Sequence, residues 1–292
     1  MLVSGISASI LNKYIVTGLH ITGKFFILFV QTAFLLSILF ILNAFVFGTI
    51  AAKSVSVDAV LPWALPAVSL LIMIYSGLEA NARLSISLFT VLKNLTIPVI
   101  AVHDTLFNNY QITRLTLLSF FLIVFSSFLG AYSSDRHRKD SPSPIGLLWM
   151  LLNCLSSAAY IIRFNKIVRA TKVPSIFAAW AVNMLASPLI FTCFLVEGIK
   201  SVKTATLREI LIIGLSGAAA CSISVANAQA ATTFSTTTVA VINALNKLPI
   251  SASSVIFGLE KTGKASKWIA VFLGVAASIL YAMSRAPASK AQ

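Results

Sequence analysis

The sequence predicts an all-α membrane protein: ten transmembrane helices arranged as an inverted five-plus-five repeat. Three observations carry this. First, the 292 residues are 58% hydrophobic and only 10% charged, with a mean hydropathy of +0.93, whereas a soluble domain carries about 25% charged residues. Second, apolar stretches close to the ~20 residues needed to cross a bilayer recur along the chain. Third, two lysines sit inside such stretches in related settings, Leu92-Lys93-Asn94-Leu95-Thr96-Ile97-Pro98 and Leu245-Asn246-Lys247-Leu248-Pro249. They fall on the fourth and ninth stretches. Five is an odd number of crossings, so two copies of a five-helix unit run in opposite directions, the plan of many transporters.

The stretches in order are 2–18, 25–48, 61–81, 84–103, 114–134, 144–167, 174–196, 207–229, 233–257 and 266–285. The first begins at Met1 with no basic segment before it and reads as a span, not a cleavable signal. The second is almost wholly apolar, and the third carries Glu79 and Arg83 four residues apart, placed to pair. The fourth holds Lys93 and Pro98 and ends at His103-Asp104, which reads as a loop cap. The sixth and seventh carry isolated amides, Asn153 and Asn183, and the eighth is rich in Gly, Ala and Ser, which let membrane helices approach closely. The ninth opens on the hydroxyl-rich run 232–238 and holds Lys247. The linkers between stretches are short and bear breakers or charge. None is long enough to be a domain, so 1–286 reads as one unit with repeats at about 1–135 and 144–286, followed by a polar tail at 287–292.

Net charge is +14, from 22 basic and 8 acidic residues. In a soluble protein this would point to nucleic acid. Here the basic residues sit mostly in linkers, such as 136–139 and 166–172, where they hold loops at the interface with lipid or draw in an anionic solute. They do not settle orientation: 163–172 supports a cytoplasmic middle loop, whereas 136–139 and 261–267 oppose it. Cys154, Cys193 and Cys221 lie in apolar segments without CxxC spacing and read as small core residues. There is no P-loop, no GxSxG and no HExxH, and the three histidines have no partners at metal-ligand spacing. No enzyme, metal, cofactor or nucleic-acid partner is expected.

A lysine at membrane depth costs about 2.5–3.5 kcal/mol on insertion scales and usually faces a cavity where it has work to do. On a helix, Asn243, Asn246 and Lys247 are spaced i, i+3, i+4 and share one face. That face offers an ammonium and two amides, a set suited to an anionic polar solute. Pro98 and Pro249 lack an N–H, which removes the helical partner of the Asn94 and Leu245 carbonyls. The competing reading is a kinked helix whose polar groups are satisfied between helices. Asn153 and Asn183 fit interhelical bonding, and Lys13, near a helix end, fits snorkelling.

At Asn243-Ala244-Leu245-Asn246-Lys247 the chain resembles the Gly-Ala-Leu-Asn-Lys motif of Golgi GDP-mannose transporters, within the drug/metabolite transporter superfamily. The resemblance covers nearly the whole chain. Lys93-Asn94-Leu95-Thr96 with Phe89 is similar to the family's Phe-Lys-Asn-Leu-Thr region, and Met73-Ile74-Tyr75-Ser76 and Asn12-Lys13 match too. It implies ten helices with both termini cytoplasmic, and exchange of a GDP-sugar entering the Golgi lumen for GMP leaving it. The implied partners are a nucleotide sugar, a nucleoside monophosphate and membrane lipid, in an assembly open to homodimers; other endomembranes remain open as locations. Lys247 is implied to neutralise phosphate, with Lys93 and Asn94 on the same path. Asn243, Ala244, Asn246, Ser224 and Asn183 are implied to contact base or sugar. The family's glycine is Asn243 here, its Phe-Tyr-Asn-Asn segment is Trp180-Ala181-Val182-Asn183, and a tyrosine one turn before the lysine motif is Val239. All three departures touch the end that reads the base. A UDP-sugar carrier, a sugar-phosphate carrier and a non-transporting membrane scaffold therefore stay open.

Overall fold

The computed structural model describes residues 2–18, 23–47, 61–107, 112–133, 143–197, 205–233 and 265–285. They form α1 (Leu2–Gly18), α2 (Lys24–Phe47), a 3-10 turn (Leu61–Trp63) leading into α3 (Ala64–Arg83), α4 (Ile86–Leu92), a second 3-10 turn (Lys93–Leu95), α5 (Thr96–Phe107), α6 (Arg114–Ser133), α7 (Pro144–Thr171), α8 (Ser175–Glu197), α9 (Leu207–Thr233) and α10 (Ala265–Arg285). No strand occurs among the described residues. Five segments are long and apolar enough to cross a membrane: Lys24–Phe45, Leu61–Arg83, Pro144–Thr171, Ser175–Glu197 and Leu207–Ala230. Their surfaces, and that of α6, carry exposed aromatic and aliphatic side chains, among them Phe40, Phe45, Leu148 and Leu215 on the five and Phe121 and Phe128 on α6. Such a surface suits lipid and not water. This is a multi-pass membrane protein.

Nine of the ten predicted stretches coincide with helix; the ninth, 233–257, lies outside the described residues apart from Thr233. Three boundaries move. The basic segment 166–172 is not a loop, since α7 runs on to Thr171 and stops at Lys172, whose φ of 51° is left-handed. A helix leaving a bilayer loses its apolar requirement, not its backbone hydrogen bonds, so charge alone does not end it. His103 and Asp104 do not cap a loop: both lie within α5, which continues to Phe107. The third change is the break between α4 and α5.

Proline explains that break. Pro98 has no N–H to give the Asn94 carbonyl, and its ring crowds that carbonyl in a straight helix. The chain tightens instead, and the Thr96 N–H turns to the carbonyls of Lys93 and Asn94. Short 3-10 segments within a helix are a common response of this kind. Pro188 inside α8 is accommodated differently. The Ser187 hydroxyl donates to the Met184 carbonyl at 2.8 Å, filling the place of the missing N–H.

The principal core lies among α2, α3, α7, α8 and α9, with Leu28, Leu35, Leu39, Leu70, Phe164 and Ile190 buried in it. A second cluster ties α3 and α4 to α7 through Ala80, Leu84, Leu88, Leu92, Met150 and Cys154. Closest approach occurs where α9 crosses α2: a methyl group at Gly217 would lie 2.5 Å from the Gln31 carbonyl oxygen. Beside it, Gln31 donates to Asn12 at 2.9 Å and to Ser216 at 2.8 Å, and Ser216 donates to Asn12 at 2.7 Å. This triad links α1, α2 and α9. Cys154 and Cys221 are buried and all three cysteines are free thiols, in line with core packing.

Candidate functional site

Lys93 stands at the joint between α4 and α5, as C-cap of the one and first residue of the turn. Its ammonium points at α7, where it donates to the side-chain oxygen of Asn153 and, at 2.5 Å, to the hydroxyl of Ser157. Asn153 and Ser157 are four residues apart, so both face the lysine from consecutive turns of α7. Asn153 is nearly inaccessible, at 2% exposure. Its amide nitrogen donates to the Met73 carbonyl at 2.6 Å and lies 3.5 Å from the Ser76 hydroxyl. Ser157 in turn donates to the Asn153 carbonyl at 2.5 Å.

The electrostatics of this group differ from those of the other cations. Lys24 and Arg83 both pair with Glu79, a buried carboxylate. The backbone N–H groups of Lys24 and Phe25 each donate at 2.9 Å to Glu197, which caps α2 from the end of α8 and complements the positive end of the α2 dipole. Lys13 does not snorkel outward. It donates to the Asn81 and Leu84 carbonyls at 2.6 and 2.8 Å, at the negative end of α3. Lys93 has neutral side-chain oxygens as its hydrogen-bond partners, and no carboxylate forms a salt bridge to it among the described residues. A buried cation without a counter-charge is costly, and an anion is the kind of partner that would offset that cost.

Of the other predicted residues, Asn94 is buried at 1% exposure but turns away from α7. A methyl group at Gly274 of α10 would lie 2.7 Å from its amide nitrogen, and 3.2 Å from the Ser126 hydroxyl of α6. Adjacent residues of one tight turn thus serve opposite neighbours, Lys93 facing α7 and Asn94 facing α10. Asn183 of α8 and Ser224 of α9 do meet, at 3.4 Å, while the Asn183 amide also donates to the Ala179 carbonyl at 2.8 Å. Lys247, Asn246, Asn243, Ala244 and Val239 lie outside the described residues. Reading the sequence alone assigned Asn153 to helix bridging and passed over Ser157. Their i, i+4 spacing was visible, but the lysine they hold is 60 and 64 residues away.

No family model matches the chain. Several curated relatives do, over nearly its whole length. It is 31% identical to a GDP-mannose transporter of Scheffersomyces stipitis across 97% of this chain and 90% of the relative. A GDP-mannose transporter of Aspergillus fumigatus is 32% identical, and one of Aspergillus oryzae 31%, each over 97% of this chain and 78% of the relative. Taken with the apolar helices, this identity over essentially full length means that the chain belongs to the GDP-mannose transporter family of membrane transport proteins.

Proposed function

We propose that the protein exchanges a GDP-sugar for its nucleoside monophosphate across a Golgi membrane, through ten spans built as an inverted five-plus-five repeat. The observation that carries the reading is Lys93, an ammonium held by neutral oxygens. The names of the relatives support the substrate class.

The helix contacts support the repeat. In a five-plus-five plan α1 corresponds to α7, α2 to α8, α3 to α9 and α6 to α10, and the α4–α5 span corresponds to 233–257. Under that exchange α1–α9 becomes α3–α7, α2–α9 becomes α3–α8, α1–α3 becomes α7–α9 and α2–α3 becomes α8–α9. Both members of every such pair are in contact. The α2–α8 and α6–α10 contacts map onto themselves, as contacts on a two-fold axis must. The polar groups repeat as well: Asn12 meets Ser216 before Gly217, and Asn153 meets Ser76 before Gly77. By the same correspondence Lys247 and Lys93 are partners, the pair that would flank a phosphate path, with Asn243, Ala244, Asn246, Asn183 and Ser224 toward base and sugar.

Exchange follows if the empty carrier reorients less readily than the loaded one. In liposomes the protein is expected to take up GDP-mannose only against internal GMP, and to be stabilised thermally by GMP more than by UMP, CMP or AMP. Lys247→Ala is expected to fold and to lose exchange. Stabilisation by UMP alone would move the assignment to UDP-sugars, and stabilisation by sugar phosphate alone would remove the base pocket. A Lys247→Ala variant that exchanges like wild type would defeat the role given to that lysine.

A further inference from the structure

The acceptors that meet Lys93 have a property that hydrogen bonding alone does not require: they are neutral, and the network around them fixes them as acceptors. The Asn153 amide nitrogen is committed to Met73 and Ser76, so its oxygen is the atom presented to the lysine. Amide orientation follows from such networks. The Ser157 proton is committed to the Asn153 carbonyl, so a lone pair faces the lysine. Two oxygens therefore orient the ammonium without discharging it. Elsewhere in the same bundle Lys24 and Arg83 meet the carboxylate of Glu79, and Lys13 meets two carbonyls at the negative end of α3.

We infer that Asn153 and Ser157 are positioning residues that hold Lys93 in place for the phosphate of its substrate, and that the neutrality of residues 153 and 157 sets the affinity for that anion. The inference rests on the transport reading above. A carboxylate at either position would do for Lys93 what Glu79 does for Lys24. It would supply an internal counter-ion that the phosphate must displace, in a medium where charge pairs are strong. A bundle with that internal pair holds together better empty and binds its substrate worse, a combination of signs that simple damage to packing does not produce.

The test is Asn153→Asp, with Ser157→Asp as a second placement of the same charge and Asn153→Leu as a neutral control. The readouts are GMP-dependent thermal stabilisation in detergent and the KM and kcat of GMP exchange in liposomes. Ser157→Asp, which leaves the bond from Asn153 to the Met73 carbonyl in place, is expected to melt no lower than wild type without nucleotide; Asn153→Asp loses that bond and melts lower, and both are expected to bind GMP at least roughly tenfold more weakly and to raise KM about tenfold with kcat changed less than about threefold. Asn153→Leu removes one of the two oxygens that orient the ammonium without adding charge, so it is expected to raise KM by roughly threefold, well short of the acidic variants. If Asn153→Asp does not fold, Ser157→Asp must show the same KM effect. GMP affinity within threefold of wild type in the acidic variants overturns the inference, as does an Asn153→Leu loss equal to that of Asn153→Asp. A wild-type protein that neither binds nor exchanges GMP or any other nucleotide overturns the transport reading beneath it, a result distinct from both.

Discussion

Lys93→Met separates stability from function. Methionine keeps the length of the side chain and removes its charge. The lysine costs about 2.5–3.5 kcal/mol at membrane depth, and that cost disappears in the variant. Against it stands the Asn153 oxygen, buried and now without its donor, which costs about 1–3 kcal/mol. Ser157 keeps its own bond to the Asn153 carbonyl and adds little to the loss. The balance is about zero to 2 kcal/mol in favour of the variant. Thermal unfolding in detergent is expected to show a midpoint equal to wild type or a few degrees above it. Exchange goes the other way. A charge-assisted hydrogen bond to phosphate is worth about 1.5–3 kcal/mol, so nucleotide affinity is expected to fall roughly 10- to 100-fold. A midpoint many degrees below wild type would show Lys93 to be a structural strut, and unchanged GMP exchange would show that no phosphate meets it. Either result refutes the reasoning.

Two further outcomes follow from packing and charge. Gly217→Ala drives a methyl group to 2.5 Å from backbone of α2, whereas Gly214→Ala meets only the ring of Phe34 at 2.7 Å, a partly exposed side chain free to turn. Thermal melting is expected to show Gly217→Ala less stable by about 1–3 kcal/mol, the range for overpacking, and Gly214→Ala nearly unchanged; equal losses would argue against a rigid α2–α9 crossing. Glu79→Ala strands Lys24 and Arg83, whose side chains are 24% and 34% exposed. Both stand at helix ends and are partly accessible, so the loss is expected at about 1–3 kcal/mol, below that of a fully buried pair. Restoration by adding Lys24→Met to Glu79→Ala, read by the same melts, would identify unpaired charge as the cause.

What the sequence could and could not reveal follows the range of the interactions. Helix positions were legible because each apolar stretch declares itself locally. The break at Lys93 was half legible: Pro98 announced a lost hydrogen bond, but the tight turn that absorbs it appears only in the backbone. Helix ends were read poorly where charge was taken as loop, at 166–171, because water tolerates a charged helix as readily as a charged coil. Asn183 and Ser224 were named separately, and the structure brings them together across 41 residues. Asn153 carried no local mark of importance; its task is defined by Lys93 on one side and Met73 on the other. Asn94 shows the converse: the resemblance put it on the same path as Lys93, and the tight turn gives the two different neighbours.

The break between α4 and α5 has a mechanical side. On one side of the joint, α4 rests on α6 and α10 and packs Leu88 and Leu92 against α7 as well; on the other, α5 rests on α7. Both helices thus share α7 while α4 alone is also held by α6 and α10, and the tight turn is where the two meet. If α7 shifts relative to the α6–α10 pair, the two helices cannot both follow without bending at 93–95. Lys93 sits on that bend with its ammonium tethered to α7. A ligand that takes the ammonium from α7 loosens one fastening of the turn while leaving α4 anchored. Occupancy at one charged atom would in this way be geared to the relative motion of two groups of helices, as a pawl is geared to a ratchet.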